Sequence, residues 1–301
     1  WHVIDQNLSL RLTFSGHIIG STFLELTYQT DNSPKKLTFS GDMGNGRSEI
    51  IKPPEHILET DFLVMESTYG DRLQPRLDVE EVLAVFLNTI LKRGGVAIIP
   101  AFAVGRTQEI LYHVKRLQEK KMIPLVPVFV DSPMANSATK IFMSHQDQHR
   151  LQGESILPQN FQQVISAEDS RLLTTKEGPF IVISASGMLT GGRVMHHLKY
   201  RLPHKENGVI IVGYQAEETK GRLLLEGIKS LRIFHEEVEV KADIFALDNL
   251  SAHADYMDII KWMRHLKRKP KCVFLNHGER AANRNLKKLI EAEFSIKCHI
   301  P

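Results

Sequence analysis

The chain has 301 residues, 42% of them hydrophobic and 24% charged, with a formal net charge of +3. That usage is globular and long enough for two domains; it excludes fibrous, low-complexity and wholly disordered chains, and a charge this small names no nucleic-acid partner by itself. Cys272 and Cys298 form neither a CxxC pair nor a disulfide framework, the run free of charged side chains at residues 94–105 is too short to cross a bilayer, and no basic-then-apolar leader opens the sequence, so a cytoplasmic setting without a membrane is expected.

In chain order, Leu8, Leu10, Leu12 and Phe14 alternate with Ser9, Arg11 and Thr13, the period of a half-buried strand. That strand delivers the chain into "GHIIGS", where Gly16 and Gly20 free the backbone to turn around His17. "TFLELTY", "KKLTFSGD" and "DFLVMES" follow with no long helix between them, the pattern of an antiparallel or mixed sheet. At Asp78 the style changes: "DVEE" resembles a helix-capping box ahead of Val82, Phe86, Leu87 and Ile90, and a domain boundary is placed nearby.

From there one unit recurs, an apolar strand, a polar or glycine-rich loop, then an amphipathic helix. "VAIIP" leads through "AFAVGRTQE" into a helix with Ile110, Leu111, Val114 and Leu117 on one face. "VPVFV" leads into "DSPMA", "FIVIS" into "ASGMLTGGR", "VIIVG" into "YQAEETKGR", "KADIFAL" into "DNLSAHAD" and "KCVFL" into "NHGER". This is an α/β layout, and in such sheets ligands collect beyond the carboxyl ends of the strands.

His17, Asp42, Glu66, His253 and His277 each follow an apolar strand and sit in a turn of glycine or small residues. Imidazole and carboxylate are zinc donors, and a carboxylate can bridge two cations. Their separations are too long for a helical HxxxH site, so the fold must assemble any site they share. A hydrogen-bonded structural role for each remains the competing reading. The basic run "KWMRHLKRKPK" at residues 261–271 reads as a helix with a solvated charged end, with Trp262, Met263 and Leu266 in the core.

"GHIIGS", "FSGDMG", "ESTYG", "PAFAVGRTQE", "DSPMA", "SASGMLTGGR", "GYQAEETKGR", "SAHAD" and "NHGE" occur in the order seen in the β-CASP branch of the metallo-β-lactamase superfamily, and the chain resembles its RNA-cleaving nucleases over nearly its whole length. The resemblance implies an αββα metallo-β-lactamase fold, here lacking its N-terminal part, with an inserted α/β β-CASP domain: residues 1–75 and 246–301 for the first, 76–245 for the second. It also implies two zinc ions, with His17 and His277 as ligands of one ion each, Asp42 as the carboxylate between them, and Glu66 paired with His253 for proton transfer to the leaving oxygen.

One departure stands out. Members of this branch carry an HxHxDH motif ahead of the position of His17, and no such string occurs in residues 1–301. An N-terminal truncation is the expectation, with a fragment that binds zinc weakly, cuts little, and exposes an apolar face through which it self-associates; the family also implies a homodimer. For single-stranded RNA, Ser184, Ser186 and Gly187 are expected at a phosphate, while Arg106 reads equally as a phosphate clamp or a salt-bridged structural residue. Arg193 and Lys220 are candidates for backbone phosphates, with solvated charges the competing reading. His196 and His197 cannot share a helix face, so at most one lines a groove. The function expected is an RNA endonuclease or 5′–3′ exonuclease, the alternatives being a non-catalytic scaffold subunit or a hydrolase of small esters or thioesters.

Overall fold

A computed structural model describes residues 1–31, 33–75, 78–247 and 250–301. The expected boundary residue 76 and the first two residues of "DNLSAHAD", Asp248 and Asn249, lie outside the described residues. The chain divides into two compact units, one of Trp1–Gln74, Gln148–Arg150 and Ala252–Pro301, the other of Pro75–Asp147 and Leu151–Ser251.

The first unit opens with strands β1 (His2–Val3), β2 (Leu8–Phe14), β3 (Thr22–Tyr28), β4 (Lys35–Phe39) and β5 (Phe62–Glu66). The second carries α1 (Val79–Leu91), β6 (Val96–Pro100), α2 (Arg106–Glu119), β7 (Val128–Asp131), α3 (Pro133–Ser144), β8 (Phe161–Gln163), α4 (Ala167–Thr175), β9 (Phe180–Ser184), α5 (Val194–Arg201), β10 (Gly208–Val212), α6 (Lys220–Leu225), β11 (Ser230–Ile233), β12 (Glu236–Glu239) and β13 (Asp243–Leu247). The chain then returns to the first unit with α7 (Tyr256–Met263), β14 (Cys272–Asn276), α8 (Arg280–Phe294) and β15 (Lys297–His299).

The first unit is built on a mixed sheet of order β1-β2-β3-β4-β5-β14-β15. Strands β1 to β4 pair antiparallel, whereas β4, β5, β14 and β15 run parallel. Two antiparallel steps restore direction, so β2 points the same way as β4, β5 and β14, and all four end at one edge of the sheet. On one face Phe23, Leu63, Met65, Val273 and Leu275 form a core with Ile259, Trp262 and Met263 of α7 and Leu286, Ile290 and Phe294 of α8. On the other, Leu12, Leu24, Phe39, Val64 and Phe274 stand in register across five strands; Leu12 is 57% exposed.

The second unit has an all-parallel sheet of order β13-β10-β6-β9-β7-β8 and a separate β11-β12 hairpin. Its central strands are buried on both faces, which is why they read as unbroken apolar runs. Ala97, Ile99, Val130, Ile183 and Ile210 face the helices α1 and α2 through Leu83, Leu87, Ile110 and Val114. Val96, Ile98, Val182, Val209 and Ile211 face α5 and α6 through Val194, Leu198 and Leu224. Helix α1 starts where the capping box places it, the Asp78 carboxylate accepting from the N–H groups of Glu80 and Glu81.

Two placements differ from expectation. Residues 246 and 247 stay in the second unit because β13 pairs along its length with β10, so the chain returns at Ala252. Helix α7 ends at Met263, so most of the basic run at 261–271 lies beyond it; Trp262 and Met263 are buried as expected. No helix among the described residues is long and apolar enough to cross a membrane.

Candidate metal centre

All five strand-end residues belong to the first unit, and its sheet explains their convergence. His17 follows β2, Asp42 follows β4, Glu66 ends β5 and His277 follows β14, the four strands that end at one edge. The parallel register sets Asn276 beside Glu66, so the next residue, His277, emerges level with the carboxylate. His253 reaches the same edge from the segment before α7, bridged to Gly44.

The loops are held close by backbone contacts that leave no room for side chains. Gly44 donates its N–H to the Ser15 carbonyl at 2.8 Å, and a Cβ built on Gly44 stands only 1.9 Å from the Gly16 oxygen. Gly278 is pressed onto Ser67 in the same way, a Cβ built there standing 2.4 Å from Oγ, and Ser67 in turn donates to the Asn276 carbonyl and Asn283 Oδ1. His277 itself takes a left-handed conformation, φ +51°, the strained turn that brings its ring back over the edge.

Asp42 lies between two imidazoles, Oδ1 at 3.2 Å from His277 Nδ1 and Oδ2 at 3.8 Å from His17 Nε2. Donor atoms of His17, Asp42 and His253 all lie within 4.8 Å of one another, as do those of Glu66, His253 and His277. Two donors bound at about 2.0–2.1 Å to a tetrahedral zinc stand about 3.3 Å apart, so this nitrogen and oxygen set fits zinc with small adjustments.

Glu66 is 1% exposed and accepts from the Met43 N–H at 2.6 Å. Its two oxygens stand 3.2 and 3.1 Å from His253 Nδ1. Burial pushes this carboxyl up, but the hydrogen bond and charge of His253, with bonds from Thr68 and Met43, outweigh it and hold the group below its ordinary value. The ionised carboxylate only accepts, so Nδ1 of His253 carries the proton of that bond. The rings of His17 and His253 are 4.3 Å apart.

Sequence reasoning missed the residues that hold His253 in place. Asp255 caps α7 through the N–H groups of Met257 and Asp258, and its other oxygen accepts from Arg47 at 2.8 Å and from the Gln74 N–H at 3.2 Å. Gln74 donates to the His253 carbonyl. "SAHAD" ahead of an apolar helix is a capping signal, so Asp255 was findable; Arg47 and Gln74, distant in sequence, were not. Thr68 Oγ1, which donates to the His277 carbonyl at 3.1 Å, likewise went unread in "ESTYG".

The side chains expected at phosphate lie in the second unit. Ser184 is 1% exposed and donates to the Asp131 carbonyl of neighbouring strand β7 at 2.9 Å. Arg193 is committed to Asp131 Oδ1 at 2.9 Å and to the carbonyls of Val164 and Ile165. Arg106 bonds Glu109 at 2.7 Å with both side chains nearly buried. Ser186 remains half-exposed beside Thr190 Oγ1 at 3.1 Å, Gly187 is buried, and Lys220 opens α6. His197 is fully buried with Nε2 at 2.7 Å from Asp131, while His196 packs beside Phe234, 4.6 Å between centroids.

Comparison with known proteins bears on both units. Residues 107–224 match the Beta-Casp domain family, and residues 237–301 match the zinc-dependent metallo-hydrolase RNA specificity domain. A ribonuclease of Thermus thermophilus is 34% identical over 287 residues, spanning 90% of this chain and 63% of the relative. An RNase J-like protein of Methanocaldococcus jannaschii is 32% identical over 305 residues, 99% of this chain and 70% of the relative. The transcription termination factor FttA of a Lokiarchaeum species is 30% identical over 293 residues, 92% of this chain and 46% of the relative. The chain thus spans only part of each relative's length. Motif order, two domain matches and identity sustained along the whole sequence lead to one assignment: the chain belongs to the β-CASP branch of the metallo-β-lactamase-fold RNA nucleases.

Proposed function

We propose that this chain carries the larger part of the reaction site of a zinc-dependent phosphodiesterase that cuts single-stranded RNA, internally or from the 5′ end, in cytoplasmic RNA processing or decay. The observation that carries the reading is the Asp42 carboxylate set between the imidazoles of His17 and His277, beside His253 and its buried partner Glu66. In it, His17, Asp42 and His277 hold the metal, two zinc ions in this reading. Zinc, when bound, supplies Lewis-acid charge to the phosphate and activates water at neutral pH.

The chain's own residues supply the rest. Glu66 accepts from Nδ1 of His253 and orients the ring; in its doubly protonated form the ring hands the Nε2 proton to the oxygen that leaves phosphorus and regains one from water after the product departs. Asp255, Gln74 and Arg47 keep the segment bearing His253 in register with Gly44. Pairing of two copies belongs to the same reading and is measured by sedimentation.

The test separates holding metal from moving protons. After dialysis against zinc, Asp42→Ala is expected to lose metal relative to the parent chain, whereas His253→Ala keeps it and loses cleavage of labelled RNA in the intact protein. Equal zinc in Asp42→Ala and the parent overturns the ligand assignment. Turnover of a thioester alone overturns the nuclease reading, and full zinc loading with no turnover of RNA, DNA or thioester favours a scaffold subunit.

A further inference from the structure

Phe102 is exposed in the second unit where a ligand is expected on topology alone. Neighbouring strands β6 and β9 pair in parallel from Val96↔Phe180 to Pro100↔Ser184. The chain leaves β6 for α2 on one face of the sheet and leaves β9 for α5 on the other. Where adjacent parallel strands send their connections to opposite faces, the two loops part and leave a crevice at the carboxyl ends. Phe102 is the second residue beyond β6 and is 46% exposed, while Phe129, Phe142 and Phe180 of the same unit are buried.

The ring sits on a fixed base. The Phe102 carbonyl accepts from the Thr107 N–H at 3.1 Å and from Thr107 Oγ1 at 2.8 Å. Gly187, beyond β9, leaves bare backbone against the ring: a Cβ there stands 3.1 Å from Phe102 Cδ2 and 3.2 Å from Cε2. Gln215 Nε2 pins the Gly187 carbonyl at 3.1 Å. The two loops, "AFAVG" and "ASGMLTGG", carry no charged side chain, and Val104 beside Phe102 is 38% exposed. An exposed ring so framed suits a flat, neutral partner with polar edges, for which Ser186 and Thr190 offer hydroxyls.

We propose that Phe102 is a stacking platform for a nucleobase of single-stranded RNA, a contact that rests on the RNA reading above and adds to it a base-binding position. Every base has a π-face, so such a platform holds the strand without reading its sequence. Losing one stacked base on alanine substitution costs about tenfold in affinity.

The test is binding by the full chain in chelator, so that nothing is cut, read by anisotropy of a fluorescein-labelled oligoadenylate and of an abasic ribose-phosphate oligomer of equal length. Phe102→Ala is expected to weaken oligoadenylate about tenfold and leave the abasic oligomer unchanged, with the same salt dependence because no phosphate contact is lost. Phe102→Tyr restores binding; Phe102→Leu, apolar but without an aromatic face, does not. Equal loss for both oligomers, or full binding by Phe102→Leu, overturns stacking while the RNA reading stands. A parent chain that binds neither oligomer removes that reading and this one with it. Circular dichroism melting identifies a misfolded variant, and the Tyr and Leu pair then decides the matter.

Discussion

Glu66→Gln tests whether a buried charge, rather than a carbonyl shape, organises the candidate centre. The carboxylate takes hydrogen bonds from the Met43 N–H at 2.6 Å and from His253 at 3.1 Å. Glutamine keeps one carbonyl oxygen, so one of these donors loses its acceptor or meets an NH2 group. At 1% exposure water does not replace it. A hydrogen bond to a charged group contributes roughly 1.5–3 kcal/mol net, and at this burial solvent screening removes little of it. The first unit of the variant is therefore expected to unfold with about 1.5–3 kcal/mol less stability at pH 7. Because the folded carboxyl titrates below its unfolded value, its contribution is complete above the unfolded pKa of about 4.3 and is lost as pH falls through the folded one. The gap between parent and variant stays level through neutral pH and closes below about pH 4. Metal-free urea unfolding followed by tryptophan fluorescence reads this unit alone, since Trp1 and Trp262 are the chain's two tryptophans and both lie in it. A gap under about 0.5 kcal/mol at pH 7, the size of an ordinary surface substitution, or one that persists unchanged in acid, refutes the reasoning.

Two further outcomes follow from the packing. Asp131→Ala strips the carboxylate from fully buried His197 and from Arg193 and Ser170; removing one partner of a buried pair costs about 3–5 kcal/mol. Hydrogen exchange on peptides of β7 and β9 measures it, and parent-like protection there contradicts the assignment of Asp131 as the hub of that unit. Gly44→Ala drives a methyl group into the Gly16 carbonyl, with backbone on both sides of the clash. It is expected to cost about 1–3 kcal/mol or more in the first unit and to weaken zinc binding by displacing the His17 loop, measured by urea unfolding and zinc titration; parent-like values in both oppose the close-packed loop account.

The strand-loop-helix rhythm, the helix N-cap at Asp78 and the five imidazoles and carboxylates beyond apolar strands were legible because each depends on local spacing. The partners of the hydroxyl and guanidinium groups were not. Ser184, Arg106 and Arg193 look identical in sequence whether they meet a ligand or a neighbouring strand, and the partners that occupy them, Asp131 and Glu109 among them, declare themselves only after packing. Arg47 was silent for the same reason: its partner Asp255 lies 208 residues away.

The sequence by itself determined which side chains stand at strand ends, and that they are imidazoles and carboxylates, because alternation, apolar runs and glycine turns are written residue by residue. Only the tertiary structure decided that β2, β4, β5 and β14 end at one edge, since strand direction and neighbour order come from pairing between segments far apart in the chain. That shared edge puts Asp42 within 4 Å of both His17 and His277 and buries the Glu66 carboxylate beneath a partly exposed His253.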